Sequence, residues 1–334
     1  MADVVLLSHN DLDGVGSTLI SSYVLRKSGL NIVDIKNVGN HEVDDTILTA
    51  INEAILTGNE VSILVTDITP SETTAELIDL ILKQYPNVKL KVLDHHKHAL
   101  PLNKYDWAEI VVERDGVPTS GTSLLVDFLF EQGYELDYKT YELAETVRLY
   151  DTWDWTRRGV GYPKRLNDLL YLIGHKKFVA LLGESLELQV DDKLYPSEYD
   201  LLLDVEGERV VRYIDKKYKE ISIATYNFGL DGQYYVAGFV IAEQYFSELG
   251  NELANKLPEV DLIVILDVAH RKASLRTNGD VDVSVIAKAK GGGGHPKAAG
   301  YPLTDDDLKL LLSVATNKQY KERNNDKEDK SVEK

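Results

Sequence analysis

Cysteine is absent from the 334-residue chain, and so is any long hydrophobic run. Without cysteine, disulfide frameworks, thiolate metal sites and cysteine nucleophiles are excluded, and a reducing cytoplasm is the expected location. No stretch approaches the roughly 18 apolar residues that a membrane-spanning helix needs, which excludes a transmembrane enzyme. The first residues lead directly into the apolar run 4–7, so no secretory signal is expected.

Basic residues are too few to balance the acidic ones. The chain has 37 Lys and Arg against 55 Asp and Glu, which gives a formal net charge of −18 at pH 7. Proteins that hold long duplexes through their overall electrostatic field need clustered Lys and Arg. We therefore expect no long-duplex binding and no membrane binding, and a nucleic-acid substrate would have to be short.

The hydrophobic pattern predicts an α/β protein of two domains. A single core stops growing at about 250 to 300 residues, which this chain exceeds. In the first half, short apolar runs alternate with longer helical patterns, as is typical of βαβ units and a doubly wound, mainly parallel sheet. Later strand-like segments predict a second, smaller α/β domain. The expected division is a first domain at 1–195, a helical linker at 196–222, a second domain at 223–316 and a disordered tail at 317–334.

The first chemically informative motif is Ser-His-Asn-Asp-Leu-Asp-Gly at residues 8–14, which follows a buried strand pattern and opens a helix. In an extended chain, His9, Asp11 and Asp13 share one face. One imidazole and two carboxylates form a ligand mixture that suits Mn²⁺ or Mg²⁺. An Asp-x-Asp-Gly turn is equally typical of a helix cap, and this motif alone does not separate the two interpretations.

Three further clusters carry candidate ligands. Asp67 ends an apolar strand pattern, the run Asp94-His95-His96 ends another, and Asp151 ends a helical pattern. Taken singly, Asp67 is explained as a helix cap, and the two tryptophans beside Asp151 are explained as packing residues. Ligands of parallel α/β sheets bind at the carboxyl ends of the strands, where three of the four clusters fall. Convergence into one site is therefore the economical interpretation.

The converging side chains predict a site for two divalent ions, Mn²⁺ ahead of Mg²⁺. The expected ligands are four carboxylates and two imidazoles, namely His9, Asp11, Asp13, Asp67, His95 and Asp151. They suffice for two ions with Asp67 as the bridging ligand. Two such ions about 3.5 to 4 Å apart generate hydroxide at neutral pH and clamp a phosphoryl group. Hydrolysis of a phosphate ester or anhydride is the predicted chemistry.

A glycine run in the second half predicts a phosphate-binding loop. Residues 290–300 are Lys-Gly-Gly-Gly-Gly-His-Pro-Lys-Ala-Ala-Gly. Glycines let the backbone approach a ligand and turn amide groups towards an anion. A flexible loop is the alternative, and the adjoining histidine and lysine favour binding. The candidate substrate-binding residues are Arg276, which ends a strand pattern, and Gly292, Gly293, Gly294, His295 and Lys297.

Together these motifs resemble the DHH phosphoesterase superfamily with its C-terminal DHHA1 domain, over about residues 3–316. The form of the first motif and the two-domain length are most similar to the nanoRNase (oligoribonuclease) NrnB branch. The resemblance implies that a DHH catalytic domain precedes a substrate-binding DHHA1 domain. The implied ligand sets are His9, Asp11 and Asp67 for one Mn²⁺, and Asp13, Asp67, His95 and Asp151 for the other.

The resemblance also implies roles for side chains around the metals. His96 would face the scissile phosphate, while Arg276 and His295 would hold the terminal phosphate or nucleotide of the substrate. The first motif is shorter than in related branches, so His9 would orient Asp11 instead if its ring does not reach a metal. Asp94 is expected to orient a neighbouring histidine, and with Asp67 and His96 it makes up the expected catalytic group. The turn 120–123, Ser-Gly-Thr-Ser, resembles a small-residue turn of relatives, with a helix N-cap as the alternative.

The expected activity is that of a metal-dependent phosphoric-ester hydrolase that degrades short oligoribonucleotides to mononucleotides by hydroxide attack. The alternatives in this class are a cyclic dinucleotide or linear pApA phosphodiesterase, a 3′-phosphoadenosine 5′-phosphate phosphatase and, with less support, a pyrophosphatase or a RecJ-like exonuclease for single-stranded DNA. A non-catalytic DHH-fold module is disfavoured because every expected ligand is present. The oligomeric state is open, a homodimer included.

Overall fold

Two compact units make up the chain, and they divide between Leu203 and Asp204. The computed structural model describes residues 3–188, 193–230 and 232–316, so the expected tail at 317–334 lies outside the described residues. The first unit is built on a parallel sheet and the second on a mixed sheet. The predicted fold class, a mainly parallel α/β sheet followed by a second α/β domain, is confirmed.

The first unit contains a five-stranded parallel sheet with the order β2-β1-β3-β4-β5. Its strands are β1 Asp3–His9, β2 Asn31–Val38, β3 Val61–Thr66, β4 Val88–Asp94 and β5 Ala108–Ile110. Its helices are α1 Leu12–Lys27, α2 Val43–Thr57, α3 Glu72–Gln84, α4 Gly121–Glu131, α5 Tyr138–Asp151, α6 Asp154–Arg158, α7 Tyr162–Ile173 and α8 His175–Leu188. A hairpin, β6 Glu113–Arg114 and β7 Val117–Pro118, precedes α4, and short 3₁₀ segments occupy Lys97–Lys104 and Ser197–Tyr199.

Helices cover both faces of this sheet because the central strand β1 is apolar on both sides. In β1, Val4 and Leu6 pack into a core formed with α1, α4, α5, α7 and α8. Val5 and Leu7 point the opposite way and pack into a second core with α2 and α3. Successive strand side chains alternate between the two faces, so a continuous apolar run requires a layer of helices on each. The sheet is therefore doubly wound.

The second unit contains a six-stranded mixed sheet with the order β12-β13-β11-β10-β9-β8. Its strands are β8 Ser222–Tyr226, β9 Tyr235–Ile241, β10 Leu262–Asp267, β11 Lys272–Arg276, β12 Gly293–His295 and β13 Ala298–Pro302. Its helices include α10 Phe246–Lys256, α11 Val283–Ala289 and α12 Asp305–Ala315. β9 and β10 pair in parallel, and the other neighbouring strands pair antiparallel.

The stretch 196–222, expected as a linker, is helical over Asp200–Glu220, which is α9. The division between the units falls inside it. Val210 and Ile214 of α9 pack into a core with α10, β9 and β10, so most of the helix is an integral part of the second unit. Among the described residues, neither α9 nor another helix is both long and apolar enough to cross a membrane.

Candidate metal centre

The carboxyl ends of three neighbouring strands carry candidate ligands. β1 ends at His9, β3 ends just before Asp67, and β4 ends at Asp94. After β1 the chain passes through α1 on one face of the sheet, and after β2 it passes through α2 on the other. This reversal opens a crevice beyond β1 and β3, where doubly wound sheets bind ligands.

One group of candidate ligands is formed by His9, Asp11 and Asp67, whose ligand atoms lie within 4.8 Å of one another. Nδ1 of His9 lies 2.7 Å from Oδ2 of Asp11 and 3.8 Å from Oδ2 of Asp67. The short first motif therefore lets the imidazole contact Asp11 and still face Asp67. Asn37, which no sequence pattern singles out, donates from Nδ2 to the carbonyl of His9 at 2.7 Å and fixes the end of β1.

A second group is formed by Asp13, His95 and Asp151. Nε2 of His95 lies 3.0 Å from Oδ2 of Asp151, and its Nδ1 lies 3.8 Å from Oδ2 of Asp13. The same Nδ1 lies 3.7 Å from Oδ1 of Asp67. Asp67 thus turns one carboxylate oxygen towards each group. The structure brings together all six of the side chains singled out as ligands in the sequence.

Asp67 itself is buried in a charged and strained position. It is 2 % exposed and has a left-handed backbone with φ +60°, and its amide donates to the carbonyl of Leu93 at 2.9 Å. Burial, followed by the charges of Asp13 and Asp11, raises the pKa of Asp67 well above its usual value. Oδ2 of Asp67 and Nδ1 of His95 are buried and make no hydrogen bond within the described residues. Unpaired buried ligand atoms among concentrated carboxylates fit a cation site.

The start of α4 holds the carboxylate of Asp13. The amide of Gly121 donates to Oδ2 of Asp13 at 2.6 Å, and the amide of Thr122 donates to Oδ1 at 2.8 Å. Ser120 caps the helix in a reciprocal pair with Ser123, which is the N-cap that the sequence analysis left open for this turn. The same turn anchors a candidate ligand at a helix N-terminus, where a negative charge is stabilised. The small residues of the turn were the only sequence signal for this role, and they do not by themselves reveal the contact with Asp13.

Asp94 orients the ring of His96. Its Oδ1 accepts from the amide of His95 at 2.8 Å and lies 2.8 Å from Nδ1 of His96. The rings of His95 and His96 are 4.4 Å apart between centroids. Because the Asp94 carboxylate fixes the orientation of the His96 imidazole, His96 sits beside the second ligand group in a defined position. These three residues, with Asp67, also form a group of potential ligand atoms within 4.8 Å.

The charge on His95 is set by its acidic neighbours. Burial disfavours the protonated ring, but the charge and hydrogen bond of Asp151 outweigh burial and raise the pKa of His95 to about 10. The neighbouring carboxylates therefore favour the protonated form of the His95 ring in the metal-free protein. Metal ligation requires a neutral imidazole, so this proton must leave when His95 binds a metal.

In the second unit, Arg276 and His295 lie on one face of the sheet. Across β11 and β13, Arg276 pairs with Ala298, and across β13 and β12, Ala298 pairs with His295. Residues paired across neighbouring strands point to the same side of the sheet. The two residues at the ends of this row, Arg276 and His295, are separated by two strand spacings, or about 10 Å. The Arg276 guanidinium donates to Oγ of Ser247 at 3.2 Å and has no ion pair within the described part of the chain. Burial lowers the pKa of Arg276.

The glycine run is a folded edge of this sheet. Gly293 and Gly294 belong to β12 and pair with β13. The amide of Gly292 donates to the carbonyl of Ala287 at 2.8 Å at the end of α11, so this amide is engaged within the chain and does not point to an anion. A side chain at Gly292 would meet the backbone of β13, which explains the glycine by close packing. Nζ of Lys297 donates to the carbonyl of Gly279.

A doubly wound sheet with carboxylate and imidazole groups at its switch point, followed by a second sheet unit, defines a two-domain phosphoesterase. A family model described as the DHHA1 domain matches residues 232–320. Oligoribonuclease NrnB of Bacillus subtilis (strain 168) is 35% identical over 313 residues, which are 93% of this chain and 75% of that protein. The chain belongs to the DHH/DHHA1 phosphoesterase superfamily, in the NrnB branch, and is a phosphoric-ester hydrolase.

Solved structures agree with this fold. The crystal structure of exonuclease RecJ bound to manganese matches with a TM-score of 0.55 and 15% identity, over 94% of this chain and 89% of that chain. RecJ of Thermus thermophilus in complex with Mn²⁺ matches with a TM-score of 0.50 and 14% identity, over 94% of this chain and 51% of that chain. At these identities the likeness concerns the fold.

Proposed function

We propose that the protein is a Mn²⁺-dependent phosphodiesterase that degrades short oligoribonucleotides to mononucleotides. The observation that carries this proposal is Asp67, whose two buried carboxylate oxygens face two separate groups of ligand atoms. Two divalent ions would be held by His9, Asp11 and Asp67 on one side and by Asp13, Asp67, His95 and Asp151 on the other. Such ions supply Lewis acidity that activates water and neutralises charge on phosphoryl oxygens. Mn²⁺ is favoured because carboxylate and imidazole ligands suit it and because the RecJ match carries manganese.

His96 is the proposed proton or hydrogen-bond donor to the phosphate. Its ring is oriented by Asp94 and lies against His95, so it is fixed at the edge of the second ligand group. An imidazole is suited to this task because its unperturbed pKa lies near neutral pH. Asp94 acts through His96 and is a positioning residue.

The substrate class rests on charge and on the second unit. With a net charge of −18, the chain repels a long polyanion, whereas a short one needs only a local cationic site. Arg276 and His295, separated by the small Ala298, would bind the terminal phosphate or nucleotide. Gly293, Gly294 and Lys297 lie on or beside the same edge strand. The named activity of the Bacillus relative, an oligoribonuclease, supports short RNA as the substrate.

A substrate panel tests this function. The purified protein with Mn²⁺ is incubated with end-labelled ribo- and deoxyribo-oligonucleotides of two to ten residues, c-di-AMP, 3′-phosphoadenosine 5′-phosphate and pyrophosphate. We expect ribonucleotide dimers to pentamers to be degraded to mononucleotides with the highest kcat/KM, about tenfold or more above that of the other compounds. A tenfold preference corresponds to about 1.4 kcal/mol of differential transition-state binding. EDTA should abolish the reaction. Preference for pyrophosphate or single-stranded DNA would contradict the proposal.

Metal binding should become tighter as the pH rises. The pKa of His95 is raised to about 10, so below pH 10 its proton competes with the metal. From pH 6.5 to 8.5 we expect the apparent Mn²⁺ affinity to increase by up to about tenfold per pH unit, with release of about one proton from His95. Titration calorimetry in buffers of different ionisation enthalpy measures the protons released. His95→Gln should release one proton fewer, and an unchanged proton count would contradict the assignment.

A further inference from the structure

Trp153 occupies a backbone position that favours glycine. α5 ends at Asp151, Thr152 caps the helix, and Trp153 follows with a left-handed backbone at φ +58°. The residue at this place after a helix is usually glycine, because a Cβ atom makes the left-handed conformation unfavourable. A bulky aromatic residue in that conformation is a genuine outlier. Outliers of this kind cluster at active sites and ligand-binding segments.

The other bulky residues with left-handed backbones have partners within the chain. Tyr245 has φ +55°, and its hydroxyl donates to the carboxylate of Glu206. Arg271 has φ +53°, and its guanidinium pairs with the carboxylate of Asp305. The Trp153 side chain makes no hydrogen bond to the described residues and lies outside their hydrophobic cores. It is 38 % exposed, and the neighbouring ring of Trp155 lies 5.7 Å away. The expectation that both tryptophans are packing residues holds only in part for Trp153, whose ring contacts Trp155 and is more than a third exposed.

The surroundings of Trp153 suit a nucleotide. Asp151, two residues earlier, belongs to the second ligand group. Arg157 and Arg158, whose side chains are 73% and 50% exposed, share the carboxylate of Asp154. Arg148 contacts the same carboxylate of Asp154 and that of Glu145, which also contacts Arg158. Three guanidinium groups therefore face two carboxylates, which leaves a local excess of positive charge in a chain whose net charge is −18. An exposed aromatic ring in the same short segment as exposed arginines is a combination found in proteins that bind single-stranded nucleic acids.

We propose that Trp153 is a stacking platform for a nucleobase next to the scissile phosphate. The proposal rests on the proposed function, since it assigns a substrate contact to that active site. The indole ring takes the base of the nucleoside that adjoins the ligand group of Asp151, and the left-handed backbone holds the ring at the protein surface. Stacking accepts every base, so this contact would not restrict which nucleotide the enzyme takes.

The test compares Trp153→Gly with Trp153→Phe. Glycine suits the backbone, so Trp153→Gly should have a Tm equal to or above that of the wild type while kcat/KM for a dinucleotide falls about 10- to 100-fold, mainly through KM. Trp153→Phe, which keeps an aromatic face, should retain most of the activity. Phe130→Ala removes another exposed aromatic side chain, on α4, and should leave the kinetics unchanged. Unchanged KM in Trp153→Gly would overturn the proposal.

An abasic substrate separates stacking from a structural effect. Dinucleotides with an abasic ribose at the 5′ or the 3′ position are compared with the intact compound. For one of the two abasic compounds, the kcat/KM of the wild type should fall, relative to the intact dinucleotide, by the same factor as the substitution Trp153→Gly lowers it on the intact dinucleotide. The kcat/KM of Trp153→Gly should be the same on that abasic compound as on the intact one. If the substitution Trp153→Gly lowers kcat/KM, relative to the wild type, by the same factor on both abasic compounds as on the intact dinucleotide, Trp153 does not contact a base.

Fluorescence separates this inference from the proposed function. With Mn²⁺ present, a dinucleotide whose linkage carries an uncleavable methylene group in place of the bridging oxygen should quench the tryptophan emission of the wild type and leave that of Trp153→Phe unchanged. A quench confined to the wild type supports the stacking contact even if the dinucleotide proves not to be cleaved. Equal quenching in both proteins, or none in the wild type, would overturn it.

Discussion

Replacing Asp67 with asparagine is expected to reduce dinucleotide turnover by about 10³-fold or more. The two carboxylate oxygens face separate ligand groups, so the substitution removes charge from both proposed metal sites at once. A metal ion stabilises the transition state by several kcal/mol, and about 4 kcal/mol corresponds to 10³-fold in rate. The measurement is kcat/KM at saturating Mn²⁺. Asp79→Asn, a carboxylate paired with Lys83 on α3, is the matched control and should keep full activity.

The same substitution should stabilise the metal-free protein. The pKa of Asp67 is raised in the folded state, so its ionisation opposes folding at neutral pH, and this cost is relieved as the pH falls through the folded-state pKa. In EDTA at pH 7, Asp67→Asn should therefore have a higher Tm than the wild type. Added Mn²⁺ should raise the Tm of the wild type well above that of the variant. Full activity together with an unchanged Mn²⁺ response in Asp67→Asn would end the two-metal proposal.

Gly121→Ala is expected to reduce turnover by about 10- to 100-fold and to destabilise the protein by about 1–3 kcal/mol. A Cβ atom at Gly121 would lie 2.6 Å from Cβ of Asp67, 2.9 Å from its amide nitrogen and 3.0 Å from Oδ2 of Asp13. The α4 start must then move away, and it carries the amides that hold Asp13. Kinetics at several Mn²⁺ concentrations and thermal unfolding measure the two effects.

A glycine with free space around it is the control for Gly121. Gly207 lies within α9, and a Cβ atom there would have no heavy atom within 4 Å beyond the adjoining residues and backbone of its own helix. Gly207→Ala should leave turnover unchanged and stabilise the protein by up to about 1 kcal/mol, because alanine is the better helix former. If the two variants behave alike, the contact between the α4 start and the ligands has no role in the site.

The sequence was sufficient for the fold class because its signals are local. The apolar run in β1 feeds both cores, Val4 and Leu6 on one face and Val5 and Leu7 on the other, and such a run predicts a strand covered on both sides. The candidate ligands could be predicted as well, since the carboxyl ends of parallel strands lie at one edge of the sheet. The division between the units falls inside the expected linker, but the unit to which α9 belongs could not be predicted, because its pattern does not reveal which core it packs against.

The sequence by itself determined which side chains can bind metal, through residue type and position after a strand. Only the tertiary structure decided that Asp67 faces both ligand groups and that the amides at the α4 start hold Asp13. It also decided that Gly292 packs against β13 and that Trp153 is exposed. These contacts join residues far apart in the chain or depend on one backbone angle. Hydrophobic periodicity indicates whether a residue lies on the buried or the exposed face of a helix or strand, and it does not indicate which atoms come into contact after folding.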